Sequence, residues 1–270
     1  VAGVVRHGRA GMTNLPWEIG EEEIARCFGL KRAWLINDLT AVCASLPFLE
    51  ADDYLELQAG SPEAEGVRAV IAPGTGLGEG YLVRVGGQVL AQGSEGGHCD
   101  FAPIDAIQAE LLAWMRRRHP GEPVSYETLC SGMGIPLLYA FFKESGMAES
   151  ESIRRALKDA VDQTPVIADG AMEPNNPCPF CVRAMETFLT ILGAEAGNLA
   201  LKLYSTGGLY IGGGIMPRLA GRLSFASLLA AFNRKEKMEA LMQSIPVRLI
   251  TRKDAALLGV AGHGMSRVQQ

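Results

Sequence analysis

The chain has 270 residues, of which 48% are apolar and 20% are charged, with a formal net charge of −5. This composition is typical of a globular protein with a sizeable core, and the length allows one or two domains. The acidic balance argues against a nucleic-acid or membrane-surface partner, and no apolar run approaches the length of a membrane span.

The beginning of the chain predicts a strand, a short helix and a second strand. The first strand covers 1–5, and the helix covers 20–28 with three glutamates in its first turn, where the helix dipole favours anions. The apolar run 34–36 then predicts a buried strand, which stops at Asn37 and Asp38.

Asn37 and Asp38 place an amide and a carboxylate between that strand and a helix, which the apolar run 41–46 predicts. Open α/β sheets bind ligands at the carboxyl ends of their strands. A carboxylate there can accept the proton of a ligand hydroxyl while the amide fixes that hydroxyl in place. The alternative is that Asp38 only caps the helix, and on this segment alone the cap is the favoured interpretation.

A polar segment at 52–65 follows and predicts a connection out of one domain. The next feature is a glycine-rich loop, 74–78, between predicted strands at 67–72 and 81–85. Because no helix follows the loop, it is not a dinucleotide fingerprint or a Walker A loop. It can instead wrap phosphates with its backbone N–H groups and the Thr75 hydroxyl, or it can be a tight hairpin turn.

A second glycine-rich segment, Glu95-Gly96-Gly97-His98, follows the hairpin that Gly86 and Gly87 predict. Two glycines let the carboxylate and the imidazole face one cavity, as a polyhydroxylated ligand requires. The alternative is a surface turn, and a metal site is disfavoured because no third ligand has a suitable spacing. Glu127 adds an acceptor or simply lies in the first turn of a helix.

The second half of the chain alternates helices with short strands. Predicted helices cover 104–119, 136–143, 151–163, 180–204 and 254–264, predicted strands cover 209–211 and 247–251, and a surface loop is predicted at 165–179. Gly212, Gly213 and Gly214 follow a strand, so they either let a flat ring lie against bare backbone or form a strand-to-helix turn.

The six cysteines are scattered through apolar or helical contexts. This distribution is typical of reduced thiols, so we expect a cytoplasmic protein. The single Cys-x-x-Cys, 178–181, has no second pair and no nearby histidine, so a zinc site is not expected there.

Taken in order, these motifs resemble those of bacterial glucokinases of the type that lacks the ROK zinc motif. The resemblance rests on Thr13-Asn14 with Trp17, on 35–41, 74–78, 95–103 and 131–132, and on 212–217. It covers nearly the whole chain. It implies an α/β, ribonuclease H-like fold of the actin/Hsp70/hexokinase kind, with two domains and the active cleft between them.

The resemblance also implies a domain division, substrates and an assembly. Residues 1–48 with 250–270 are expected to form the small domain, and 49–249 the large one. ATP with Mg²⁺ is the expected phosphoryl donor, and glucose is the expected acceptor at its 6-hydroxyl. A homodimer is expected, with no nucleic-acid or membrane partner.

Site residues are carried over by position in the same way. Asp38 is expected to be the catalytic base, and the sugar ligands are expected to be Asn37, Glu95, His98, Glu127, Thr13 and Asn14. The nucleotide is expected at Gly74, Thr75, Gly76 and Gly78 on the phosphate side and at Gly212, Gly213 and Gly214 on the adenosine side. No side-chain metal ligand is expected.

One departure from the family pattern concerns a first phosphate loop. The resemblance implies an Asp-x-Gly-Gly-Thr-Asn motif on the first hairpin, and this sequence contains none. We therefore expect an incomplete small domain that lacks an N-terminal segment. Two alternatives stay open: a kinase of the same fold for another hexose, and a sugar-binding or regulatory protein without turnover.

Overall fold

The computed structural model describes residues 1–11, 17–144 and 150–268, with the Val268 side chain excepted. Its strands are β1 Val5–Arg6, β2 Arg9–Gly11, β3 Glu18–Gly20, β4 Tyr54–Gln58, β5 Arg68–Pro73, β6 Leu77–Val85, β7 Gln88–Ser94, β8 Gly208–Ile211 and β9 Val247–Ile250. Its helices are α1 Glu21–Cys27, α2 Asp38–Ser45, α3 Ala106–Arg118, α4 Tyr126–Leu129, α5 Gly134–Lys143, α6 Glu151–Asp159, α7 Thr164–Ala171, α8 Pro179–Leu203, α9 Met216–Leu219, α10 Ala226–Asn233, α11 Glu239–Ser244 and α12 Ala255–Val268.

Short 3₁₀ segments complete the described elements at Leu46–Phe48, Ala51–Asp53, Gly96–His98 and Glu236–Met238. Across the described ranges, no helix combines the length and the apolar character that a membrane crossing requires. The expected α/β class is confirmed.

A six-stranded mixed sheet forms the centre of the molecule, with the strand order β4-β9-β8-β5-β6-β7. The three central strands β9, β8 and β5 are parallel, whereas β6 and β7 form an antiparallel hairpin beside β5. Ile71 of β5 pairs with Ile211 of β8. The glycines that follow these two strands therefore lie at the same edge of the sheet, where open α/β sheets bind ligands.

The main core fills one face of this sheet, and the long helix α8 runs through it. Glycines let α8 approach its neighbour closely: a Cβ atom added at Gly193 would overlap with the Leu228 carbonyl oxygen of α10. Small residues in this helix thus permit a close approach of another backbone.

The opposite face of the sheet carries a second core cluster beneath α2 and α12. Cys43 and Leu46 pack there against Val70, Leu82 and Tyr210 of the sheet. The two helices also touch each other, because a Cβ atom added at Gly259 would overlap with the Ala41 carbonyl oxygen.

A separate three-stranded antiparallel sheet, β1-β2-β3, precedes α1. Its strand β1 begins at Val5, so the strand predicted over 1–5 is wrong for most of its length. The strand predicted over 34–36 is also absent from the described structure. The Val1 amino group donates a hydrogen bond to the Ile36 carbonyl, and the Asp38 N–H donates one to the Val1 carbonyl. Both hydrogen bonds belong to the single residue Val1, so they do not form a β-ladder.

Two further predictions are corrected in the larger part of the chain. The surface loop predicted over 165–179 is wrong for its first part, which is α7, with Ile167 fully buried. Pro165 lies in the first turn of that helix, where its missing N–H costs nothing. The polar connection predicted over 52–65 contains β4, an edge strand in which apolar and polar residues alternate.

Candidate active site

Asn37 and Asp38 lie at the start of α2, and they divide two roles between them. Asn37 is the helix cap, since its Oδ1 accepts a hydrogen bond from the Thr40 N–H at 3.1 Å. Asp38 is exposed, and its Oδ1 accepts from the Leu39 N–H and from Asn37 Nδ2, both at 3.0 Å. The cap that sequence reasoning offered for Asp38 belongs to its neighbour, so the carboxylate is available to a ligand.

The start of α2 is fixed against the hairpin of β6 and β7. Thr40 Oγ1 accepts a hydrogen bond from the Gly93 N–H at 3.0 Å. A Cβ atom added at Gly78 would overlap with the Leu39 side chain, so this leucine packs directly on the strand backbone. These contacts place Asp38 beside the two glycine-rich segments.

A histidine between two carboxylates forms the second part of the site. His98 Nδ1 lies 3.7 Å from Glu127 Oε1, and His98 Nε2 lies 3.8 Å from Glu95 Oε2. Both distances exceed a direct hydrogen bond, and Glu95 and His98 are exposed, so these side chains leave donors and acceptors available to a ligand hydroxyl. Glu127 is itself oriented, since its Oε2 accepts a hydrogen bond from the Leu77 N–H at 2.8 Å.

The two glycines of this segment are required by the strand beneath them. A Cβ atom added at Gly96 would overlap with Glu79 Oε2, and one added at Gly97 would overlap with the Leu77 carbonyl oxygen. The 3₁₀ turn that carries His98 therefore rests directly on β6. Sequence reasoning found the glycines but not this reason for them.

Leu77 and Gly78 belong to β6, so the turn between β5 and β6 is formed by 74–76 of the glycine-rich loop, which lies between two strands as predicted. Its backbone is fixed by hydrogen bonds from the Gly74 N–H to the Gly76 carbonyl and from the Gly132 N–H to the Gly74 carbonyl, both at 2.8 Å. Gly76 also contacts Glu127, because an added Cβ atom would overlap with Glu127 Oε2. Thr75 is exposed at the tip.

The glycines after β8 complete a backbone cradle next to this loop. Gly213 has φ +80°, and an added Cβ atom would overlap with the Pro73 carbonyl oxygen, so a side chain is excluded there on two grounds. Cβ atoms added at Gly74 and Gly214 would meet nothing within 4 Å. Bare backbone thus borders open space, which is what phosphate and ribose groups need.

Two expected sugar ligands, Thr13 and Asn14, lie outside the described residues. The other expected side chains lie along one edge of the sheet: Asn37, Asp38, Glu95, His98 and Glu127 beside the glycines 74–78. Within the described ranges, no three His, Cys, Asp or Glu side chains are grouped to hold a metal ion.

Sequence reasoning missed a buried carboxyl pair beneath this site. Glu79 of β6 is 2% exposed and Glu195 of α8 is fully buried. Burial, and to a lesser degree the nearby Glu195 carboxylate, raises the pKa of Glu79 to about 7. The available signal was Glu195 inside the apolar helix predicted over 180–204, whereas Glu79 lies outside the predicted strands.

Comparison with known proteins identifies the family of this chain. The family model described as glucokinase matches residues 1–266. A glucokinase from Nostoc punctiforme is 35% identical over 272 residues, which cover 97% of this chain and 79% of that protein. A solved glucokinase structure from an Antarctic psychrotroph superposes with a TM-score of 0.83 at 32% identity, covering 97% of this chain and 78% of that one.

Two more distant structures share the fold. A Balamuthia mandrillaris glucokinase in complex with glucose gives a TM-score of 0.79 at 23% identity, covering 97% of this chain and 75% of that one. A ROK family glucokinase from Streptomyces griseus, in complex with glucose and AMPPNP, gives 0.61 at 18% identity, with 96% and 78% covered. The family model and the relatives above 30% identity agree, and the chain belongs to the glucokinase family.

Proposed function

We propose that this chain transfers the γ-phosphoryl group of ATP to the 6-hydroxyl of glucose, giving glucose 6-phosphate. The observation that supports this most directly is the position of Asp38. Its carboxylate is exposed, is not used as a helix cap, and lies beside a glycine-rich loop in a chain of the glucokinase family.

Asp38 accepts the proton of the 6-hydroxyl as the oxygen attacks phosphorus. Asn37 orients that hydroxyl, because its own amide is fixed by hydrogen bonds to Thr40 and Gly3. Little covalent work is required of the protein in phosphoryl transfer, so positioning and charge neutralisation supply most of the rate.

The sugar is held by Glu95, His98 and Glu127, together with Thr13 and Asn14. The imidazole between two carboxylates supports this assignment, because each side chain offers a different donor or acceptor to a ring of hydroxyl groups. A sugar with one misplaced hydroxyl leaves one of these groups unpaired, which is the basis of discrimination.

The nucleotide lies along the bare backbone after β5 and β8. Gly74, Thr75, Gly76 and Gly78 border its phosphates, and Gly212, Gly213 and Gly214 border its adenosine. Open space beside Gly74 and Gly214 supports this placement. The Mg²⁺ of a bound Mg²⁺-ATP complex would supply charge neutralisation at the phosphates that Gly74, Thr75 and Gly76 border.

The fold is proposed to be the two-domain ribonuclease H-like fold of actin, Hsp70 and hexokinase, in the type of glucokinase without the ROK zinc motif. Residues 1–48 with 250–270 form the small domain and 49–249 the large one. The helices α2 and α12, which pack on one face of the six-stranded sheet, are the contact between them. Closure of the cleft excludes water that would otherwise accept the phosphoryl group.

A homodimer in the cytoplasm is the proposed state of the protein. The thiols of Cys27, Cys43, Cys99, Cys130 and Cys178 are free, which supports a reducing compartment. Size-exclusion chromatography with light scattering measures the assembly directly, and a single peak at the mass of one 28.8 kDa chain contradicts the dimer.

The activity is tested by measuring glucose 6-phosphate formation from ATP and glucose, with mannose and N-acetylglucosamine as competing acceptors. We expect the largest kcat/KM for glucose, by at least about tenfold, because a mispaired buried polar group costs this much or more. A larger kcat/KM for another hexose makes that sugar the substrate. Glucose binding by calorimetry without any turnover supports a binding protein instead.

A further inference from the structure

The carboxyl group of Glu79 is a buried support for the turn that carries His98. Glu79 is 2% exposed, and its Oε2 is so close to Gly96 that no side chain fits between them. Its other oxygen, Oε1, is buried and has no hydrogen-bond partner in the described structure. A buried polar atom without a partner is costly, so this group requires an explanation.

Glu195, which influences the buried carboxyl group of Glu79, belongs to a polar network that also reaches the other sugar-facing element. Asn198 Nδ2 donates to Glu195 Oε2 at 2.8 Å and to the Tyr126 hydroxyl at 3.1 Å. Tyr126 directly precedes Glu127 in α4. Lys235 Nζ closes the network by donating to Asn198 Oδ1 at 2.6 Å. One buried network thus contacts both the turn that carries His98 and the helix that carries Glu127.

We propose that Glu79 is a positioning residue for sugar binding, whose buried carboxyl group seats the turn Gly96–His98 against β6. This inference rests on the proposed function, because it assigns Glu79 a role in the sugar site defined there. Glu79 does not touch the sugar; it acts through Gly96 on His98 and, through the network, on Glu127.

Because Glu79 can gain or lose a proton, the position of the turn Gly96–His98 should depend on pH. When Glu79 ionises, two carboxylates face each other in the interior, and the turn above them has to move or admit water. Burial and Glu195 raise the pKa of Glu79 to about 7, and Lys202 partly offsets this. The other titratable groups around the pair are Tyr126, Cys130 and Lys235, with Glu95 and His98 on the turn above.

The test compares wild type, Glu79→Gln and Glu79→Ala by glucose KM, ATP KM and kcat from about pH 6 to pH 9. Glutamine has the shape of the protonated acid and keeps a donor for Glu195. We therefore expect the wild-type glucose KM to exceed that of Glu79→Gln by at least about threefold near pH 8.5, and to match it near pH 6.

Removal of the Glu79 carboxyl group should raise the KM for glucose much more than the KM for ATP. For Glu79→Ala we expect a glucose KM at least about tenfold higher at every pH, with the ATP KM changed by less than about twofold. Ile135→Val, a mild substitution in the main core, is the control for general destabilisation and leaves the ratio of the two KM values unchanged. If Glu79→Ala does not fold, the pH dependence of the glucose KM in wild type and Glu79→Gln tests the role of Glu79 by itself.

Hydrogen exchange gives a readout that is independent of turnover. The amides of His98 and Cys99 donate to Glu95 and Gly96 inside the turn, and they should exchange faster in Glu79→Ala than in Ile135→Val. Parallel KM profiles in wild type and Glu79→Gln, or equal exchange in all variants, overturn the inference. Absence of turnover in the wild type overturns the proposed function instead, and the exchange comparison still decides the role of Glu79.

Discussion

At the scale of single residues, the candidate site depends on which side chain performs which local task. Asn37 accepts the capping hydrogen bond at the start of α2, so Asp38 remains exposed at the first helical position. A carboxylate that also capped the helix would exchange a structural bond for a substrate bond in each turnover. The observed division removes that conflict for the expected base.

Asp38→Asn should lower kcat by about 10²- to 10⁴-fold and leave glucose affinity within a few-fold of wild type. The amide keeps the shape and can still accept the Leu39 N–H bond, but it cannot take up a proton. Initial-rate kinetics and glucose calorimetry on the same preparation measure both quantities. A kcat close to that of wild type means that Asp38 is not the base.

Asn37→Ala tests the capping residue next to Asp38, where we expect an effect on stability as well as on glucose binding. Loss of the cap should destabilise the protein by about 1 kcal/mol, and loss of the oriented amide should raise glucose KM. Urea unfolding and glucose KM measure the two effects. Stability equal to wild type contradicts the capping role.

The stability of the protein should depend on pH through Glu79. Its pKa is raised from an ordinary 4.5 to about 7, so the folded state binds the proton more tightly than the unfolded state. The favourable contribution is complete below about pH 4.5 and is lost as pH rises through about 7, by roughly 3 kcal/mol. Glu79→Gln should therefore gain stability over wild type from pH 5 to pH 8 in urea unfolding, whereas an unchanged difference shows that Glu79 is ionised throughout.

At the scale of elements, strand β6 organises the site. It begins at Leu77, which binds Glu127, and its Glu79 supports the turn above it. Leu39 of α2 packs on its Gly78. The expected base, the expected sugar ligands within the described residues and the phosphate loop are thus arranged around one strand and the turn that precedes it.

Gly97→Ala should displace the turn from β6, because the new Cβ overlaps with the Leu77 carbonyl oxygen. We expect glucose KM to rise by at least about tenfold with ATP KM little changed. Gly87→Ala is the control: it lies at φ +80° in an open hairpin turn, so it costs about 1 kcal/mol of stability without touching the site. Equal effects of the two substitutions on glucose KM contradict the seating of the turn.

Sequence patterns predicted some elements well and others poorly, for physical reasons. The hairpin at Gly86 and Gly87 was predictable because the turn residues are local and strong signals. The strand predicted over 34–36 is absent from the described ranges, because an apolar run becomes a strand only where a neighbouring strand pairs with it, and the local pattern does not contain that neighbour. The buried Glu79 was missed because its partner, Glu195, is distant in the sequence.

At the scale of the whole molecule, the end of the chain supports the helix that carries Asp38. Helix α12 packs along α2, with Gly259 against the backbone at Ala41 and Ser45. Both helices lie over the second core cluster on the face of the central sheet. The position of the start of α2 over β6 and β7 therefore depends on contacts with elements from the middle and the end of the sequence.

Gly259→Ala should separate α12 from α2 and so disturb Asp38 from a distance, because the added Cβ overlaps with the backbone oxygen of Ala41 and backbone cannot move aside cheaply. Overpacking of this kind costs about 1–3 kcal/mol, which exceeds the gain of up to about 1 kcal/mol from replacing glycine in a helix. Gly264→Ala is the matched control in the same helix, where an added Cβ meets nothing within 4 Å. We expect a lower Tm and a several-fold lower kcat for Gly259→Ala, and an equal or higher Tm with wild-type kcat for Gly264→Ala. A kcat that is unchanged in both variants, despite a lower Tm in the first, shows that α12 stabilises the fold without positioning the catalytic helix.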